Sequence, residues 1–104
     1  MAPEHKLVYL PEAEMDIINI VRFHAERAGP KSAREIYQTM REALIQLQNF
    51  HLLGQVHPDP ELALAGYRKL VLNHTYVAVY KMIDNAVTVY RIVNGAMDYP
   101  KLLK

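Results

Sequence analysis

The sequence contains no cysteine. That excludes disulfides, thiolate nucleophiles and cysteine-ligated metals, and it fits a chain that works in a reducing cytoplasm. Glycine is scarce too. Its four residues are scattered, so no glycine-rich phosphate loop can be built. Ser32 is the only serine and stands near an expected helix start, where a hydroxyl caps backbone N–H groups. No strand–Gly-x-Ser-x-Gly–helix elbow surrounds it. No apolar run approaches the roughly 20 residues that span a bilayer, so no membrane partner is expected. The opening MAPEHKLVYL lacks a basic segment leading into a long apolar core, unlike a secretory signal. Charge of one sign is missing as well: the net charge is +1, which alone gives no reason to expect nucleic-acid binding.

What is present points to one domain, residues 1–104. The chain is long enough for one core, not two, and 51% of its residues are hydrophobic, enough to fill that core. HKLVYL, His5–Leu10, is rich in strand formers and is stopped by Pro11. PEAEMDIINIVRFHAERAG follows with a stripe of Ala13, Ile17, Ile20, Val21 and His24 at helical spacing. Pro11 suits a first helical turn, and Gly29-Pro30 ends the helix. PKSAREIYQTMREALIQLQNF repeats the pattern with Ala33, Ile36, Tyr37, Met40, Leu44 and Leu47. Two amphipathic helices joined by Gly-Pro predict a helical hairpin. HLLGQVHPDPELALAG is broken by Gly54, Pro58 and Pro60 and reads as a loop.

The remainder reads as three strands. Asp84-Asn85 separates two β-rich runs as a two-residue hairpin turn. That turn places Tyr80 opposite Val89, Met82 opposite Val87 and Ala78 opposite Arg91, all on one face. Val77, Val79, Lys81, Thr88, Tyr90 and Ile92 fall on the other. Both faces are largely apolar. One should pack on the helices, and the other should be covered by the tail or face a partner. The expected fold is therefore α+β: an N-terminal strand, a helical hairpin, and an antiparallel three-stranded meander in one sheet. The expected core is Ile17, Val21, Ile36, Met40, Leu44, Leu47, Val79 and Ile92.

Charge is divided along the chain. Met1–Pro60 holds six Lys/Arg against eight Asp/Glu, whereas Glu61–Lys104 holds six against three. A basic sheet can face a phosphate backbone or an acidic protein segment. His51, His57 and Asp59 lie close in sequence but match no known coordination spacing, so no metal and no cofactor is expected. Metal-free phosphodiester cleavage needs a base, an acid and cations on the phosphate. By chemical type the candidates are Arg68, Lys69, His74, Tyr76, Tyr80, Lys81, Arg91 and Tyr99. Tyrosines in strands also serve packing, and a strand Lys or Arg also blunts an edge.

PEAEMDIINIVRF, the Ala33–Leu47 stripe and GYRKLVLNHTYVAVYKMIDNAVTVYRIVNGAMD together resemble the RelE/ParE superfamily of bacterial type II toxin–antitoxin toxins, over nearly the whole chain. The resemblance implies a cognate antitoxin partner, hetero-oligomer formation with it, and a cytoplasmic target. That target is DNA gyrase for ParE-like members and ribosome-bound mRNA for RelE-like ones. Arg68 stands where RelE-like enzymes contact RNA. Val77 and Met97 or Ala96 stand where those enzymes carry phosphate-holding arginines, and Tyr99 is the nearest group to their late acid/base position. Two missing cations would raise the barrier by several kcal/mol, at roughly 3 kcal/mol for each lost oxyanion-type contact. The ending YRIVNGAMDYPKLL resembles the ParE-like one, with Asn94 where those chains commonly carry histidine. The resemblance thus favours gyrase inhibition. An interferase would use Arg68, Lys69, His74 and Tyr99. A third alternative is an attenuated toxin that serves mainly as an antitoxin-binding co-repressor. For target or antitoxin contact the candidates are Arg68, Lys69, Lys81, Arg91, Met97 and Asp98.

Overall fold

Pro11 fits the first turn of a helix because its missing N–H would have no partner there, and Glu12 and Glu14 complement the helix dipole. In the computed structural model, which describes residues 2–104, the helix α1 (Pro11–Ile45) starts at this proline. It breaks at Gly29, whose φ of 88° and ψ of 177° lie outside the helical region and suit a residue without Cβ. A straight helix of this length would measure about 52 Å, yet the longest extent of the molecule is 39 Å. The two arms, residues 11–28 and 30–45, fold back on each other as the Gly-Pro pair predicts. Ile17 of the first arm lines a small hollow together with Tyr37, Met40 and Leu44 of the second.

The strands are β1 (Lys6–Tyr9), β2 (Gln55–Val56), β3 (Arg68–Val71), β4 (Tyr76–Ile83) and β5 (Ala86–Asn94). They form one mixed sheet in the order β1-β5-β4-β3-β2. The three-stranded meander is present as β3-β4-β5. The N-terminal strand runs parallel to β5, and β2 adds a short fifth strand. β2 and the helix α2 (Pro60–Leu64) both lie in the segment expected to be a loop. α2 forms because the Asp59 carboxylate accepts the N–H groups of Glu61 and Leu62 and Pro60 takes the first position. α1 is also shorter than expected: Gln46–Gln48 tightens into a 3-10 turn.

The Asp84-Asn85 turn is where the sequence places it, with Asp84 at φ 53°. It fixes the register near it, Tyr80 opposite Val89 and Met82 opposite Val87. Beyond that, a β-bulge intervenes. Val79 pairs with Arg91, so Tyr90 is the extra residue and Ala78 lies opposite Ile92 rather than Arg91. An inserted residue shifts all later side chains by one face. Ile92 therefore joins Ala78, Tyr80, Val87 and Val89 in the core beneath α1, with Ile36, Met40, Leu44 and Leu47. Val79 lies in a second cluster on the outer face, with Leu62, Tyr67, Val77 and Tyr99. Ile17 and Val21 pack at the margin of the first core and are only partly buried. The tail, with a 3-10 turn at Pro100–Leu103, covers the outer face through Tyr99 and Leu103.

Candidate functional site

The parallel β1 matches β5 only from Ala86 to Val89, because Pro11 turns the chain away into α1. The next stretch of β5 has lost its neighbour on that side. Asp16, one turn into α1, replaces it. Its Oδ2 accepts the N–H of Ile92 at 2.9 Å. The same carboxylate takes the Arg91 guanidinium in a two-pronged pair, Nε to Oδ2 at 2.8 Å and Nη2 to Oδ1 at 2.9 Å. The Asp16 side chain is 13% exposed and that of Arg91 26%. The hydrogen bonds and the negative charge hold the guanidinium even more firmly protonated than usual, against the cost of burial.

Arg91 thereby forms one wall of a groove of about 640 Å³ between α1, β5 and the tail. Asn19 and Phe23 line it from the helix, and Met97, Asp98 and Leu102 from the tail. Phe23, Met97 and Leu102 are all exposed, so the groove has apolar lips. Of the predicted contact residues, Arg91, Met97 and Asp98 are brought together here. Phe23 was missed by the sequence reading. Its only signal was a large apolar residue off the main stripe of its helix.

The other basic candidates are dispersed. Arg68 on β3 donates from Nη1 to the Gly54 carbonyl at 2.7 Å. Lys81 on β4 holds its ammonium 4.4 Å from the Tyr67 ring centroid and 5.2 Å from that of Tyr90, while those rings meet edge to face. Attraction between cation and ring explains why tyrosine and lysine alternate on the outer face. Lys69 lines a different hollow, with Leu53, Gln55 and Val71. His74 is exposed in the turn between β3 and β4. Three residue steps along β3, about 10 Å of strand, lead from Arg68 to Val71, and His74 lies further on.

Tyr99 is buried on the outer face, where its hydroxyl and His57 Nε2 are 2.9 Å apart. The ring's other nitrogen, Nδ1, accepts the Asp59 N–H at 3.0 Å. A neutral imidazole that accepts at Nδ1 carries its proton on Nε2, so His57 donates to Tyr99. Burial, and then the charge of Lys69, push the His57 pKa down, against the pull of Asp59. Burial raises the pKa of Tyr67, Tyr76, Tyr80 and Tyr99, which moves all four away from proton transfer near pH 7. His51 stacks edge-on against His5 instead of joining His57, and among the described residues no cluster of three metal-ligating side chains exists.

The His57 arrangement gives a pH prediction. In the unfolded chain His57 takes up a proton near its ordinary pKa of about 6.5. In the folded chain it resists protonation until lower pH, because burial and then the charge of Lys69 disfavour the imidazolium. Its contribution is complete above the unfolded value of about 6.5 and is lost as pH falls from there towards the depressed folded value. Denaturant titrations from pH 7.5 to 5 should show stability falling, and His57→Gln should flatten the slope. An unchanged slope in that variant would refute the assignment.

Comparison with known proteins follows the same architecture. Residues 7–99 match the family of the ParE toxin of the type II toxin-antitoxin system, parDE. Among solved structures, the chain resembles one from the chromosomal ParDE TA system of P. aeruginosa. The two are 21% identical, with a TM-score of 0.75 over 88% of this chain and 96% of that one. A chain of the RelBE2 toxin-antitoxin complex of Mycobacterium tuberculosis is 19% identical, with a TM-score of 0.58 over 93% and 97%. The YoeB dimer from Staphylococcus aureus gives 16% and 0.57 over 85% and 93%. At these identities the structural likeness establishes the fold. No curated protein matches the chain. No helix among the described residues is long and apolar enough to cross a membrane.

Proposed function

This chain belongs to the ParE toxin family of type II toxin–antitoxin systems, and from that premise we propose that it is a growth inhibitor silenced by a cognate antitoxin and directed at DNA gyrase. The setting is the cytoplasm, where both partners would reside. One observation carries the choice of gyrase over mRNA: three of the groups an RNA-cleaving site would need are already engaged. Arg68 is held by the Gly54 carbonyl, Tyr99 by His57, and Arg91 by Asp16. His74 sits in a turn, while Tyr99 is buried in the outer-face cluster. Stabilising a phosphorane-like charge takes several preorganised donors aimed at one point, and side chains committed to other partners are not aimed at one.

A protein target asks for something else, an apolar surface with a few fixed charges at its rim. The groove with Phe23, Met97 and Leu102 as lips and Arg91 and Asp98 beside them has that character. We assign it to contact with the target or the antitoxin. The test is controlled expression of the chain alone in a bacterium, with DNA breaks and transcript ends read from the same culture. Gyrase-linked breaks with intact transcripts are expected. Codon-phased transcript cuts would replace this reading with an interferase built on Arg68, Lys69, His74 and Tyr99. An absence of both would leave an attenuated toxin that works through its antitoxin.

A further inference from the structure

An asparagine followed by glycine can react with its own backbone. Glycine has no Cβ, so its nitrogen approaches the asparagine side chain without obstruction. Of the five asparagines, Asn19, Asn49, Asn73, Asn85 and Asn94, only Asn94 precedes a glycine. Asn94 ends β5 opposite Tyr76 of β4. Gly95 opens the exposed turn that leads into the tail.

Two hydrogen bonds set the state of this pair. The Asn94 Oδ1 accepts the Ala96 N–H at 2.9 Å. Asparagine often makes such a turn, and here the bond also polarises the side-chain carbonyl. Attack on Cγ would place negative charge on Oδ1, where a backbone N–H already points, as in an oxyanion hole. The nucleophile is restrained instead. The Gly95 N–H donates to the Thr75 carbonyl at 2.9 Å. A nitrogen that donates this bond keeps the proton it must lose in order to attack. Thr75 is itself placed by Asn73, whose Oδ1 accepts the N–H groups of Thr75 and Tyr76, both at 2.8 Å. The electrophile is thus prepared, and one contact between two turns holds the nucleophile back.

We infer that Asn94–Gly95 is a self-modification site, restrained by the Gly95–Thr75 hydrogen bond and released when that bond opens. Water is the only co-reactant. The Gly95 nitrogen gives its proton to hydroxide and bonds to Asn94 Cγ. The Cγ–Nδ2 bond breaks, and the leaving nitrogen takes a proton from water and departs as ammonia. Water then adds to the cyclic imide. Cleavage at Cγ gives aspartate, and cleavage at the main-chain carbonyl carbon gives isoaspartate; nothing is oxidised or reduced. Asn94 lines the groove with Arg91, Asp98 and Lys101. Either product adds a carboxylate to a groove that already holds Asp16 and Asp98. Isoaspartate also adds a methylene to the main chain where Asn94 pairs with Tyr76. The groove therefore has a limited chemical lifetime. This goes beyond the function proposed above, and the chemistry does not rest on it.

The test incubates the full chain in buffer and samples it over days. Trypsin releases Ile92–Lys101, in which mass and retention separate asparagine, aspartate and isoaspartate. Conversion should be faster at Asn94 than at any other asparagine, and Asn94→Gln should remove it from this peptide. Exchange of the Gly95 amide is followed in parallel by NMR. Asn73→Ala, which frees the Thr75 turn, should raise both rates roughly fivefold, the weight of one net hydrogen bond. Urea below the unfolding transition should also raise the two rates together. Conversion at Asn94 no faster than at Asn49 or Asn85 would overturn the inference. So would a conversion rate that stays flat while Gly95 exchange rises. The reading as a toxin fails separately, by absence of growth arrest when the chain is expressed alone.

Discussion

Gly54→Ala should destabilise the protein by about 3 kcal/mol, the upper end of what overpacking a well-filled site costs. Gly54 is buried where the chain enters β2. A Cβ there would sit 2.7 Å from the Lys69 carbonyl oxygen and 2.7 Å from both Cε1 and the hydroxyl oxygen of Tyr80. The first of these is backbone held in the β2–β3 pairing, so it cannot swing aside. The second belongs to a fully buried ring. Relief by moving the loop breaks more: the Gly54 N–H donates to the Tyr80 hydroxyl at 2.9 Å, that hydroxyl donates to the His51 carbonyl at 2.8 Å, and Arg68 binds the Gly54 carbonyl. In a domain of this size such a loss lowers Tm on the order of 15 °C, measurable by calorimetry. A loss under about 1 kcal/mol would show that the loop yields freely and that this lock is not tight. Tyr80→Phe keeps the ring, removes the hydroxyl and isolates the hydrogen-bonding share, since only the two bonds go.

Asp16→Ala should cost about 2–4 kcal/mol. Breaking a buried pair by removing one partner costs about 3–5 kcal/mol, and the quarter exposure of Arg91 reduces that. Two losses combine, a guanidinium left without its anion and the Ile92 N–H left without its acceptor. Asp16→Asn, which keeps an acceptor oxygen, should fall between wild type and alanine. In a double-mutant cycle with Arg91→Leu the coupling energy should exceed about 1 kcal/mol, because the two side chains are joined by two charge-assisted bonds. A coupling near zero would mean that the pair is a surface accident. The same variant should loosen the groove wall, so toxicity is to be compared at a temperature where the variant remains folded.

Much of this architecture could be read from local pattern. The arms of α1 announced themselves by three- and four-residue apolar steps and by Gly29-Pro30, and the turn at Asp84-Asn85 set the neighbouring register. The bulge at Tyr90 could not be read, because an extra residue in a run of β-formers leaves no compositional mark. It reversed the face of Ile92 and Arg91 relative to expectation. β2 was hidden by its length of two residues, and α2 by prolines that signal a turn as readily as a first helical position.

The candidate site was less legible than the fold. Residue type marked Arg91, Met97 and Asp98, which do share a groove, but it also marked Arg68 and Tyr99, which are engaged elsewhere, and His74, which stands exposed in a turn. What decides between them is pairing over long sequence distances. Asp16 and Arg91 are 75 positions apart, and His57 and Tyr99 are 42. Spacing along the chain carries no trace of either.

The parallel pairing of the first strand with the last also bears on synthesis. His5 and Asn85, bonded across the end of that pairing, are 80 positions apart. At roughly 5–20 residues per second, a ribosome needs about 4–16 s to make the intervening chain. Until then β5, the strand that joins β1 to the rest of the sheet, does not exist, and the helical arms lack that part of the floor on which they bury their stripes. Contacts this distant also close slowly once both ends are present. The finished fold is thus available only once β5 has been made, and a chain cut short before β5 is unable to form either the Asp16–Arg91 pair or the groove beside it.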